Sequence, residues 1–262
     1  MKSSDSPNFA PGSDPGSAPD GGGARRGFQP SLAEAARDYR FLLDRGYPEK
    51  SSGQLVGNRR RLDADQRLML FRGVASSDDS ARRRARLARP KRGDLVLLDA
   101  YNVAFTLVHY FLGKVCFLCS DGLLRDVGAN YGRVPREELL RRAFAELASY
   151  LGPQGLRVEA FLDAPLSRSG EHAAALREAF AALGQEARVE LAASADGAIV
   201  SRLGTLAEAS STATGRARAF VASSDSVLVD RAPEAWDLGR ELLEQRHAAI
   251  FPDFGALLDA GA

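Results

Sequence analysis

KRGDLVLLDAYNVAFTLV (residues 91–108) is the stretch from which the fold is read. Its apolar run Leu95–Leu98 is short and unbroken, as in a strand covered on both faces, and it ends on the carboxylate of Asp99. Asn102 follows, and then Val103, Phe105, Leu107 and Val108 turn the pattern helical. A strand that delivers an acid at its carboxyl end, just before a helix, places that acid where open α/β sheets bind ligands.

Downstream the pattern repeats. Strands are expected at 94–99, 115–119, 157–162, 187–192 and 218–223, with helices near 102–112, 136–150, 170–183, 196–203 and 237–247. Leu139, Leu140, Ala143, Phe144, Leu147 and Leu151 give one of these helices a continuous apolar face. Such alternation predicts the α/β class: a mainly parallel sheet of about five strands with helices on both faces, over residues 94–250. The piece 115–134 fits least, because CSDGLLRDVGANYGR is dense in turn signals and also reads as an inserted hairpin or loop.

Upstream, residues 1–29 are Ser, Pro, Gly and Asp with little to bury, the composition of a disordered tail. A small all-α module is expected over 30–75. Ser31 and Glu34 form a capping-box pattern ahead of Leu32, Ala35, Ala36, Tyr39, Leu42 and Leu43 at helical spacing, and Gly46 ends that helix. Second and third helices are expected at 52–58 and 64–71, followed by a basic linker at 76–93; residues 251–262 read as a C-terminal tail. Arg59, Arg60 and Arg61, then Arg82, Arg83, Arg84 and Arg86, are candidate phosphate contacts for a nucleic acid. A solvated arginine-rich surface is the plainer account of the same residues.

Several classes fall away on composition. The net charge of +1 carries no message about partners, and no apolar run approaches the roughly 18 residues of a membrane span. The amino terminus lacks the apolar centre of a secretory signal, so a cytoplasmic location is expected. Cys116 and Cys119 have metal-like spacing, but on a strand they face opposite ways and no second pair completes a site. Buried, unreactive thiols are expected. His109, His172 and His247 are scattered, and His109 lies in an apolar helix where core packing accounts for it. No glycine fingerprint for a dinucleotide and no Walker A sequence is present.

The chemistry is expected from acids at strand ends. Asp99 ends VLLD, Asp163 ends EAFLD, Asp196 opens a helix after ELAASA, and Asp225 follows AFVASS; Asp230 and Asp121 are further candidates. In a parallel sheet these ends share one edge, where carboxylates repel one another unless a cation neutralises them. Oxygen-only donors select Mg²⁺ or Mn²⁺. Each acid singly is also what a helix N-cap requires. Capping alone gives no preference for Asp over Ser or Thr at strand after strand. Asn102 can orient a phosphate oxygen or cap the following helix.

At these residues the sequence resembles the PIN-like nucleases, particularly their NYN branch: Asp99-Ala100-Tyr101-Asn102, FLDAP with Asp163, Ala195-Asp196 followed by Ile199, and VASSD with Asp225 occur in that order. The resemblance covers roughly residues 94–245 and implies a metal-dependent ribonuclease in which Asp99, Asp196 and Asp225 are the leading metal ligands. Asp163, Asp230 and Asn102 would complete or orient the shell. The chain also resembles an uncharacterised prokaryotic two-part family whose front half reads like FLLDRGYPEKSSGQLVGNRRRL and whose back half carries LLDAYNV, FLCSDGLLRD and DAPLSRSG. The CSDGLLRDVGANYG segment departs from the NYN pattern and can add Asp121, Arg125 or Asp126 to the site, with Ser224 beside them. Hydrolysis of RNA in preference to DNA by a metal-activated water is the leading expectation. A non-catalytic nucleic-acid- or ribosome-binding protein, and a phosphatase for a small substrate, are the alternatives.

Overall fold

A computed structural model describes residues 28–128, 136–210 and 218–260. The expected tail, bar its last two residues, and the end of the CSDGLLRDVGANYG segment lie outside the described residues. The helical unit contains α1 (Pro30–Leu43), α2 (Glu49–Arg59), α3 (Ala64–Gly73) and α4 (Ser77–Arg84). The α/β part then runs β1 (Leu95–Asp99), α5 (Ala100–Phe111), β2 (Cys116–Leu118), β3 (Leu124–Asp126), α6 (Glu137–Leu151), β4 (Arg157–Asp163), α7 (Ser169–Ala181) and β5 (Ala187–Ala192). It closes with α8 (Ala195–Ser210), β6 (Ala219–Ala222), α9 (Ser226–Arg231), β7 (Ala235–Trp236), α10 (Leu238–His247) and α11 (Phe254–Asp259).

The sheet has five strands, all parallel, in the order β5-β4-β1-β6-β7. β1 is central, and its residues sort by face: Val96 and Leu98 join the core beneath α5, α6, α7 and α10, whereas Leu95 and Leu97 pack with Ile199 and Leu228 from α8 and α9. The chain builds outward from β1 through β4 to β5, then crosses back to lay β6 on the other side of β1. The carboxyl ends of β1 and β6 therefore flank the switch point, the crevice favoured by ligands in such sheets.

Four expectations are corrected. The strand expected at 115–119 stays out of the parallel sheet; Cys116–Leu118 pairs antiparallel with Leu124–Asp126 in a separate hairpin, and the fifth sheet strand is Ala235–Trp236. The linker expected at 76–93 contains α4, capped by the Ser76 hydroxyl, which accepts from the Asp79 N–H at 3.1 Å. Ser31 does not cap α1, which begins at Pro30, after Gln29; the capping box in this unit belongs to Asp63 and Gln66 on α3. The expected C-terminal tail carries α11, and Phe254 on it is wholly buried.

Phe254 ties the two parts together. It stacks on Phe28 at 4.0 Å between centroids, meets Phe117 of β2 edge-on at 5.7 Å, and shares a core with Tyr39, Leu70 and Cys119. Gly73 ends α3 against this ring, where a Cβ would come within 2.5 Å of Phe254. Phe254→Ala is expected to cost about 3–5 kcal/mol in urea denaturation. A loss under about 1 kcal/mol would show that α11 is not part of this core. Both cysteines are free and buried, Cys116 against the main core and Cys119 against the helical unit's core, the opposite facing expected of a strand. Among the described residues no helix is long and apolar enough to cross a membrane.

Candidate functional site

β1 ends in Asp99, which is only 4% exposed and is the N-cap of α5. Its Oδ1 accepts from the Asn102 N–H at 3.3 Å, and its Oδ2 accepts from the Ser223 hydroxyl at 2.9 Å, across the switch point. Ser223 Oγ in turn accepts from the Asp225 N–H at 3.1 Å. Asn102 fixes the same loop: its Oδ1 accepts from the Ser224 N–H at 2.8 Å and the Ser224 hydroxyl at 3.0 Å. Asp225 caps α9 through the Leu228 N–H at 2.9 Å. Asp163, at the end of β4, accepts from the Ala195 N–H at 2.9 Å and so fixes the start of α8, where Asp196 sits exposed in the first turn.

Like charge couples these acids pairwise. Burial pushes Asp99 up to about 7, with the Ser223 hydroxyl pulling the other way and Asp196 and Asp163 adding to the rise. Asp196 is also raised, by partial desolvation first, then by Asp225 and Asp163, with Arg231 opposing. The group thus grades from buried Asp99 to exposed Asp196 and carries little compensating positive charge.

The donors are all oxygen, the chemistry of a hard divalent cation. Among the described residues, however, no three or more His, Cys, Asp or Glu side chains are gathered closely enough to hold a metal alone. A cation of the Mg²⁺ kind, which keeps much of its water, would need only one or two of these carboxylates together with a substrate phosphate. The group is not a dedicated structural cage. A groove of about 790 Å³ lies at the opposite ends of β4 and β5, against Arg157, Arg177 and Arg188, away from the acids.

Asp230 stands apart from that group, since both its oxygens accept from Arg83, at 3.1 and 2.8 Å. The hairpin residues form a buried ion cluster. Arg125 grips Asp121 through two bonds, at 3.2 and 2.9 Å, and donates to the Ser224 carbonyl at 3.0 Å and the Arg72 carbonyl at 3.1 Å. Asp126 faces His109 at 2.8 Å, so that buried histidine has a carboxylate neighbour as well as core packing.

The arginine candidates divide. Arg60 pairs with Asp38 and Glu34, Arg82 with Asp79, and Arg84 with Asp259. Arg83 and Arg86 point into the protein, Arg86 donating to the Val229 carbonyl at 2.8 Å. Arg59 is exposed, and Arg61 adopts a left-handed φ of 52° in the turn after α2. Two residues of the region were not foreseen. Asp237 follows β7, caps α10 and accepts from the Leu124 N–H at 2.6 Å; burial pushes it up to about 7. The signal was present in Ala235-Trp236-Asp237, another short strand ending on an acid. Ser223 is the other, visible only as the serine that precedes Ser224-Asp225.

The fold and its acids define a class: a parallel α/β sheet with an acidic carboxyl edge, joined to a helical unit that shares its core. The chain belongs to the family described as "Domain of unknown function (DUF5616)", whose model matches residues 89–241, more than half of its length. Residues 31–86 match a second family, "Protein of unknown function (DUF434)". An uncharacterised protein of Methanocaldococcus jannaschii is 28% identical over 161 residues, spanning 61% of this chain and 77% of that relative. No solved structure matches.

Proposed function

We propose that this protein is a divalent-metal-dependent nuclease of PIN-like, NYN type that hydrolyses phosphodiester bonds, RNA in preference to DNA. One observation carries the reading: Asp99 and the Ser223–Asp225 loop meet at the switch point of a parallel sheet, with Asp163 and Asp196 close enough to raise the charge cost of Asp99. Mg²⁺ or Mn²⁺, held through one or two of Asp99, Asp196 and Asp225 together with a substrate phosphate, would supply the Lewis acid and a nucleophilic water.

The chain's own residues orient that chemistry. Ser223 and the Asn102 N–H fix the Asp99 carboxylate, and Asp163 places Asp196 by holding the start of α8. Asn102 sets the loop that carries Asp225. The open setting of Asp196 suits a polymer, and the preference for RNA rests on the NYN resemblance. The test is cleavage of end-labelled RNA with Mn²⁺: Asp196→Asn should lose at least about 100-fold, since even outer-shell partners of a metal cost 10–100-fold. Equal cleavage by both proteins, or cleavage that persists in EDTA, would refute the reading.

A second reading has its own support, because Asp99 and Asp225 both serve as N-caps and no three-ligand group is gathered. On that reading the protein binds nucleic acid or a ribosomal partner without turnover. Metal distinguishes the two. At pH 8, Mn²⁺ at a hundred times its Kd should stabilise the protein by about 2.7 kcal/mol, with a smaller shift at pH 5.5 where Asp99 holds a proton. An unchanged melting temperature at both pH values would favour the binding protein. Turnover of p-nitrophenyl phosphate without RNA cleavage would favour a phosphatase.

A further inference from the structure

Arg83 and Arg86 stand in an arginine run that reads as a phosphate-binding arm, yet both reach across the boundary between the two matched families. They lie within residues 31–86, whereas their partners Asp121, Val229 and Asp230 lie within residues 89–241. Arg83 donates to both oxygens of Asp230 and, at 3.3 Å, to Asp121. Arg86 donates to the Val229 carbonyl at 2.8 Å. Val229 and Asp230 belong to α9, the short helix whose N-cap is Asp225.

A second chain of bonds reaches the other end of the same loop. Arg125 is nearly buried; its Nε donates to the Ser224 carbonyl, and its Nη1 donates to the Arg72 carbonyl at the end of α3. Asp121 is 1% exposed and receives both Arg125 and Arg83, so the two chains share one carboxylate. The Ser224 N–H and hydroxyl complete the path to Asn102. The Ser223–Asp225 loop and α9 are thus gripped by three arginines: Arg125 holds the loop, while Arg83 of α4 and Arg86 just beyond it hold α9.

We infer that α4 and the turn after it form an intramolecular clamp: Arg83 and Arg86, with Arg125, are positioning residues that hold the Ser223–Asp225 loop and α9 in register with Asp99. The helical unit is then a working part of the acidic site, which gives a physical reason for the two families to occur in one chain. A six-residue helix at the end of a four-residue strand has little packing of its own to set its position. Bidentate arginine contacts define both distance and orientation, which a lysine cannot do. The consequence for catalysis rests on the nuclease reading; the consequence for the loop does not.

The test uses the full chain. In Arg83→Met, hydrogen exchange of the 222–231 segment should rise at least about tenfold while the β4 segment stays unchanged. Arg83→Lys, which keeps the charge but not the fork, should give an intermediate rise. Arg84→Met, on the same helix but facing Asp259, should leave 222–231 unchanged. Mn²⁺-dependent cleavage by Arg83→Met should fall about tenfold or more in kcat with KM nearly constant. Should Arg83→Met not fold, Arg86→Met removes one grip and carries the same expectation. Unchanged exchange at 222–231 would overturn the clamp, as would a loosened loop with wild-type kcat. If the wild type cleaves nothing, the nuclease reading fails, and a loosened loop still supports the clamp.

Discussion

Asp99→Asn is expected to lose Mn²⁺-dependent cleavage by at least about 100-fold while melting several degrees above the wild type at pH 8. The two effects have one cause. Asp99 is buried at the end of β1, and burial raises it to about 7. In the unfolded chain an aspartate titrates near 4, so between about pH 4 and 7 the native state holds a proton that the unfolded chain has released. Stability contributed by this group therefore falls as pH rises through that window, and above about 7 the whole deficit is present. Three pH units correspond to roughly 4 kcal/mol, an upper bound on what a neutral isostere recovers. Asparagine keeps the N-cap and can still pair with Ser223, so little is lost in exchange. Asp237 adds a slope of the same sign that the variant retains. The check is a pair of melting curves at pH 5 and pH 8 beside the cleavage assay. A variant that melts lower than the wild type at pH 8 would contradict the charge argument, and one that cleaves normally would contradict the catalytic one.

Asp121→Ala is expected to be the most destabilising single change in the hairpin, by about 3–5 kcal/mol. Asp121 is almost wholly buried between Arg125 and Arg83, and its Oδ1 also accepts from the Leu123 N–H at 3.3 Å. Removing it leaves one buried guanidinium without its carboxylate and sets two cations against each other. Arg83 keeps Asp230; Arg125 keeps the Ser224 and Arg72 carbonyls and the Cys119 thiol. The double change Asp121→Leu with Arg125→Met should recover much of the loss, because a buried ion pair is worth little beside apolar groups of similar size. Chemical denaturation of both proteins measures this. A double variant as unstable as the single one would mean that Arg125 matters for its grip on Ser224 more than for its charge.

What could be read from the chain depended on how local each cause is. β1 was legible because a run covered on both faces has a local signature, and Asp99 and Asp163 were legible because each ends a strand. β7 was not: two residues carry no periodicity, and Ala235 is placed by a bridge to Leu87 and by pairing with Val221. The hairpin strand at Cys116–Leu118 has the composition of a sheet strand, and only its antiparallel partner Leu124–Asp126 removes it from the main sheet. Phe254 looked like part of a tail because the residues that bury it, Phe28 and Phe117, are far away in sequence. The arginines of α4 showed their charge but not their partners. Asp121 and Asp230 reach Arg83 only once the sheet has formed.

The central claim is that a divalent cation binds among the acids at the carboxyl edge of the sheet. Anomalous scattering from a crystal of the full chain soaked in Mn²⁺ tests it most directly. The account predicts a manganese peak within coordination distance of at least two of Asp99, Asp196 and Asp225, absent from crystals of Asp196→Asn. A crystal that shows no peak at these carboxylates at millimolar Mn²⁺, or an equal peak in the variant, would contradict it.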